Sequence, residues 1–277
     1  MTRFAVCFLL VFGELAFGGT LALAVPPFFK VERGFYKSSG GVYLGAGLLT
    51  AAGLALLAYR GDQPGGPRAA TLWMAAALWL VFAVVLGVYL VSLWTDAGRL
   101  RARSYTGALA AGLAALIANV LLLMPAGFGA VAGATYALTA LVSALMLGLV
   151  SGAMMFGHWY LIDPNLPVEY LKSFVRLLRI VLVADLGVLI ASIGLLGVAG
   201  GAGALAVRTL FDSDSLLLAA RLLLGPLATL GLAWMTWKTL EVPQTMAATG
   251  LLYIAVMSAL VGEMLGRFIL FRTSVPL

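Results

Sequence analysis

The sequence predicts an all-α, polytopic membrane bundle of about eight transmembrane helices. Three observations predict it. Hydrophobic residues make up 63% of the 277 residues and charged residues only 10%, whereas soluble domains are about one-quarter charged. The mean hydropathy is +1.08. Apolar stretches that reach or approach the ~20 residues needed to span a bilayer recur along the whole chain. Little sequence is left between them, so residues 1–277 read as one integral membrane domain without a sizeable soluble part.

The first span runs from Phe4 to Val25 and ends at Pro26-Pro27. Ala22-Leu23-Ala24 has the small-residue pattern of a signal-peptidase site. Glu14 in the apolar core argues against a cleaved signal, as does the placement of Lys30, Arg33 and Lys37 outside that cleavage would impose. Residues 26–40 mix Phe28, Phe29, Phe35 and Tyr36 with basic residues and read as an interfacial loop or short amphipathic piece. Span two is Gly41–Tyr59, and a Pro/Gly turn at 60–68 leads to span three, Ala69–Thr95. Residues 96–105 carry Arg99, Arg101 and Arg103. Span four, Thr106–Met124, contains Asn119 and is broken at Pro125-Ala126-Gly127.

Span five, Thr135–Ile162, exceeds the membrane thickness and must tilt or protrude. Its Gly148 and Gly152 form a small-xxx-small pair suited to close helix approach. Asp163-Pro164-Asn165-Leu166-Pro167 ends it. Residues 163–179 then read as an interfacial segment, since Glu169–Arg179 alternates apolar and basic residues at helical spacing. Span six is Ile180–Val198, with Asp185 near its start and a Gly/Ala-rich tail. Span seven, Leu216–Trp237, includes Arg221. Span eight, Met246–Leu270, holds Glu263 and Arg267.

Eight spans place both termini on one side. The loops of that side carry Arg3, Arg60, Arg68, Arg208 and Arg272. The other side carries Lys30, Arg33, Lys37, Arg99, Arg101, Arg103, Lys172, Arg176, Arg179 and Lys238. The positive-inside bias puts both termini outside. The net charge of +6 therefore reports orientation and does not argue for nucleic acid.

This orientation sorts the intramembrane polar residues into two layers. The outer layer holds Arg221, Glu263 and Arg267, with Glu14 about 15 Å below the N-terminal surface. The inner layer holds His158, Asp163 and Asp185. A charged residue at the centre of a membrane helix costs about 2.5–3.5 kcal/mol, so partners are expected. Glu263 and Arg267, four apart, share a helical face and can pair. Either they tie helices together or they line a site for a proton, a quinone head group or a substrate. Glu14, desolvated, is suited to accept a quinol proton or to hold the bundle. His158 reads as an interfacial hydrogen-bonding residue, with a proton or quinone ligand beside Asp163 or Asp185 as the alternative. Haem is disfavoured, because a b-type haem needs a second axial ligand and the chain has one histidine. The single cysteine, Cys7, allows no internal disulfide or thiolate cluster, and no metal site is expected. Phosphate-loop, HExxH and GxSxG motifs are absent from the sequence.

The stretch Val261-Gly262-Glu263-Met264-Leu265-Gly266-Arg267-Phe268-Ile269-Leu270-Phe271 resembles the end of the dimethyl-sulfoxide-reductase membrane-anchor family, whose last helix carries a Gly-Glu-x-x-Gly-Arg turn. Val11-Phe12-Gly13-Glu14 with Gly18-Gly19 resembles that family's first helix, and the polysulfide-reductase type of anchor is similar at greater distance. The resemblance implies eight spans, outer termini and a haem-free subunit that binds quinol near the outer face. It implies as partners an iron–sulfur subunit and a molybdenum-containing catalytic subunit, in a bacterial or archaeal cytoplasmic membrane. The family's quinol-site carboxylate and histidine have no match, since spans two and three hold neither residue type.

The leading expectation is thus a non-catalytic membrane subunit of a respiratory-type redox complex, exchanging protons and electrons with quinone. A small-molecule or ion transporter is the alternative, motivated by the intramembrane charges and the Gly-interrupted sixth span. A structural or assembly membrane protein is the third.

Overall fold

The computed structural model describes residues 2–60, 67–123, 130–242 and 244–277. Among the described residues every regular element is helical: α1 (Thr2–Ala22), α2 (Arg33–Tyr59), α3 (Pro67–Ser92), α4 (Gly98–Leu123), α5 (Ala130–Trp159), α6 (Val168–Val198), α7 (Gly201–Ser213), α8 (Ser215–Leu222), α9 (Ala228–Glu241) and α10 (Thr245–Thr273). A π-helical turn, Leu223–Leu227, joins α8 to α9, so the three form one span. Among the described residues, seven helical stretches are long and apolar enough to cross a bilayer. The fourth expected span falls on α4, a helix of 26 residues. The outward faces are apolar: Val81, Val84, Val88 and Val91 form an exposed stripe along α3. A stripe of that kind is at home against lipid chains. Residues 61–66 of the turn expected at 60–68, and the break expected at Pro125-Ala126-Gly127, lie outside the described residues.

The chain divides into two compact units, Met1–Leu123 and Met124–Leu277. In the first, α1 packs on α2, α2 on α3, α3 on α4 and α4 back on α1. Glycines on these helices face large rings. A Cβ at Gly13 would lie 2.7 Å from the Trp79 ring, and one at Gly47 would lie 2.8 Å from Phe82. Glycine lets the aromatic side chains fill the bundle centre, where Trp79 donates to Asn119 Oδ1 at 3.3 Å. At one end of the unit, Arg33 pairs with Asp96 at 3.1 Å and Lys37 stacks over Trp94 at 4.1 Å. The basic α1–α2 and α3–α4 junctions therefore share an end.

The second unit closes in the same order: α5 on α6, α6 on α9, α9 on α10 and α10 on α5. Arg176 and Arg179 of α6 lie over the Trp237 ring of α9, at 5.7 and 5.3 Å, so its basic residues also gather at one end. Gly200 and Gly201 both take positive φ (72° and 54°), the left-handed conformation that glycine alone adopts without a Cβ penalty. They turn the chain from α6 into α7. α7 packs against α6 and α10, and Leu196, Leu210, Leu218, Ile269, Val275 and Leu277 belong to one apolar cluster there. Ser274 ends α10 in the left-handed region (φ 62°), its N–H bonded to the Leu270 carbonyl at 2.8 Å, as in an αL cap. Tyr136 Oη donates to the Ser274 carbonyl at 2.7 Å and holds the segment after α10 inward.

The two expected interfacial segments, 26–40 and 163–179, run into the helices that follow them. Residues 33–40 are the first turns of α2, and 168–179 are the first turns of α6. Pro167 fixes the entry into α6 at φ −59°, and Asp163 Oδ1 accepts from the Asn165 N–H at 3.2 Å in the turn before it. No proline follows until the helix ends, so nothing interrupts it at residue 179. The 31 residues of α6 span about 46 Å, longer than the ~30 Å hydrocarbon core. Its basic first turns can thus reach the head-group level while belonging to the spanning helix.

Candidate functional site: a buried charge network

Four charged side chains meet inside the second unit. α6 supplies Asp185, α8 supplies Arg221, and α10 supplies Glu263 and Arg267. Arg221 Nη2 donates to Glu263 Oε1 at 2.7 Å and lies 3.6 Å from Asp185 Oδ2. Arg267 Nη2 donates to Glu263 Oε2 at 3.3 Å, closing the i, i+4 pair. Arg221 and Glu263 are completely buried, and Asp185 and Arg267 are at most 3% exposed. The network has two carboxylates and two guanidiniums, so its formal charge is zero. That balance offsets the desolvation each ion suffers.

Glycine makes room for it. A Cβ at Gly266 would lie 2.8 Å from Arg221 Nε, and one at Gly262 would run into the Gly225 Cα. A Cβ at Gly225 would in turn collide with Arg221 Nη1. The Arg221 guanidinium thus lies in a slot between glycines of α10 and of the π-helical turn. Pro226 sits inside that turn and has no N–H to donate. Ser258 of α10 donates its hydroxyl to the Leu224 carbonyl, so α10 supplies a bond where the α-helical ladder is interrupted. The four named residues of the Gly-Glu-x-x-Gly-Arg turn therefore each have a local role: two glycines allow contact, the glutamate joins two guanidiniums, and the arginine holds the second carboxylate oxygen.

Polar capacity is left over. Asp185 Oδ2, Arg221 Nε and Arg221 Nη1 are buried without a hydrogen-bond partner among the described residues. Ser192, two turns beyond Asp185 on the buried face of α6, and Thr229, two turns beyond Arg221, also keep unpaired hydroxyls. Native proteins rarely leave such groups unsatisfied, and the exceptions call for a functional or solvent explanation.

The expected layers are rearranged. Asp185 does not join His158 and Asp163; it joins Arg221 and Glu263. The reason is the early start of α6, which carries residue 185 to the middle of the helix. His158 is exposed, and its Nδ1 is 3.1 Å from the Tyr253 hydroxyl of α10. Asp163 closes the turn before α6. Glu14, buried on α1, belongs to the first unit. Sequence reading missed Gly225-Pro226 and Ser258. The signal available was a Gly-Pro pair inside span seven, with Gly225 one helical turn from Arg221. Among the described residues no group of three or more His, Cys, Asp or Glu side chains is placed to hold a metal ion.

No family model, curated protein or solved structure matches the chain.

Proposed function

We propose that the chain is the membrane subunit of a respiratory-type redox complex, and that the Asp185–Arg221–Glu263–Arg267 network is the proton-exchanging end of a quinone site. The observation that carries this reading is the unused polar capacity of the network. Arg221 Nε and Nη1 are donors suited to a quinone oxygen, and Asp185 Oδ2 is an acceptor suited to a quinol hydroxyl. Both Glu263 oxygens are held by guanidiniums, which leaves Asp185 as the carboxylate to take up a proton, the network passing from zero to +1 as it does. A quinol bound there supplies two protons and two electrons. The electrons would leave through an iron–sulfur partner, which feeds a molybdenum-type catalytic subunit in a bacterial or archaeal cytoplasmic membrane.

Gentle purification from the native membrane, with mass spectrometry of what is recovered, tests the assignment. Recovery with an iron–sulfur subunit and quinone supports it. Recovery of the chain alone, free of quinone, overturns it.

One feature favours a transporter as the second reading. The span that carries Arg221 departs from α-helical geometry at the charge network, through the π-helical turn and Pro226. Discontinuous spans beside intramembrane charges are a recurrent design of substrate sites. Ion- or proton-dependent uptake into proteoliposomes of this chain alone, lost in Asp185→Asn, would favour that reading.

A further inference from the structure

A second feature of the α6–α9 pair has no part in the charge network. Between the two helices runs an open groove of about 860 Å³. Its floor and walls are apolar: Ile180, Val183, Leu227, Leu230 and Trp234, with Gly231 leaving a gap in the α9 wall. One end is different. Arg176 and Arg179 line it, and both guanidiniums lie over the Trp237 ring. Among the described residues no carboxylate lies within salt-bridge distance of either arginine. Of the neighbouring acids, Glu169 pairs with Lys172 at 3.9 Å, and Glu241 pairs with Lys238 at 3.0 Å and accepts from Trp237 Nε1 at 3.1 Å.

We infer that this groove holds an anionic phospholipid, its phosphate on Arg176 and Arg179 and one acyl chain along the apolar trough. Three properties select this occupant. The charge is complementary, because two guanidiniums without acidic partners suit a phosphate. The polarity gradient follows the molecule, with cations and tryptophan at one end and only apolar side chains beyond. Tryptophan also belongs at the head-group level. The length fits as well: the ten residues from Leu227 to Trp237 rise about 15 Å, the reach of a substantial part of an acyl chain. The basic end of the groove lies on the side to which the positive-inside bias assigns the cytoplasm, whose leaflet is rich in anionic lipid.

Native mass spectrometry of the full chain in detergent provides the test. Phosphatidylglycerol and phosphatidylcholine would be titrated into wild type, Arg176→Gln/Arg179→Gln, and Gly231→Phe. The last variant fills the trough without altering a charge, and a Cβ at Gly231 meets no atom within 4 Å. Wild type is expected to retain the anionic lipid in preference to the neutral one. At about 1 kcal/mol per basic residue, the double arginine variant should bind it roughly thirtyfold more weakly. Gly231→Phe should also lose it, and millimolar inorganic phosphate should not displace it from wild type. Equal retention of the two lipids, unchanged binding in both variants, displacement by phosphate alone, or occupation of the groove by a second copy or another protein would each overturn the assignment.

Discussion

Asp185 and Glu263 are both buried carboxylates of one network, yet their surroundings assign them different work. Both Glu263 oxygens accept from guanidiniums, whereas Asp185 Oδ2 lies 3.6 Å from the nearest one and has no hydrogen bond. Removing the charge of Glu263 leaves two buried guanidiniums without their shared partner. Glu263→Gln is therefore expected to destabilise the folded protein by about 3–5 kcal/mol, the usual consequence of breaking a buried pair. Thermal unfolding in detergent would register it as a large fall in Tm. Asp185→Asn should be far milder in the same assay. On the proposed quinone reading its effect falls on turnover, with quinone-linked activity of the assembled complex down about a hundredfold, the smaller end of what a proton-transferring group contributes. Wild-type turnover in Asp185→Asn, with assembly intact, would make the network a structural clamp. The i, i+4 pairing of Glu263 with Arg267 was legible in the sequence, because helical spacing alone brings them together. The pairing with Arg221 and Asp185 was not, because it depends on residues 42 and 78 positions from Glu263 in the chain.

The contact between α10 and the π-helical turn depends on the absence of side chains on both. Gly262 and Gly225 face each other backbone to backbone, and the slot they leave admits the Arg221 guanidinium. Gly262→Ala would force a methyl group into the Gly225 Cα. The expected loss is about 1–3 kcal/mol, typical of overpacking, and again appears as a lower Tm. Gly250→Ala on the same helix is the control, since a Cβ there meets nothing within 4 Å. It should leave Tm unchanged or raise it, as alanine favours helix over glycine. Equal losses in the two variants would show that the Gly262–Gly225 approach does not limit the packing. At this scale the sequence announced the spans and a glycine-rich last helix. It did not announce that α6 begins at Val168. Alternating basic and apolar residues are equally compatible with a surface helix and with the protruding turns of a spanning one. That ambiguity misplaced Asp185.

Each unit collects its basic junctions at one end, through the Arg33–Asp96 bridge in the first and the Arg176–Trp237 and Arg179–Trp237 stacks in the second. On the orientation expected from the positive-inside bias, those ends would face the cytoplasm. Single cysteines placed at Lys30 and Lys172 should therefore react with an impermeant maleimide only when the cytoplasmic face is accessible, and one at Arg60 only from the opposite face. The native Cys7 is 1% exposed and should add little background. Labelling of all three positions from one side would reject the eight-span orientation.

The sequence by itself determined the membrane class, the approximate spans, the polarity of the loops and the helical-turn partnership of Glu263 with Arg267. These follow from properties that act locally along the chain: transfer of apolar residues into lipid, the cost of buried charge, and the 3.6-residue repeat. Only the tertiary structure decided that Asp185 belongs with Arg221, that Gly225 and Gly262 meet, and that Arg176 and Arg179 head a groove. Hydropathy makes every spanning helix acceptable to the bilayer and gives none of them a preferred neighbour. Close packing and the pairing of buried charges make that choice.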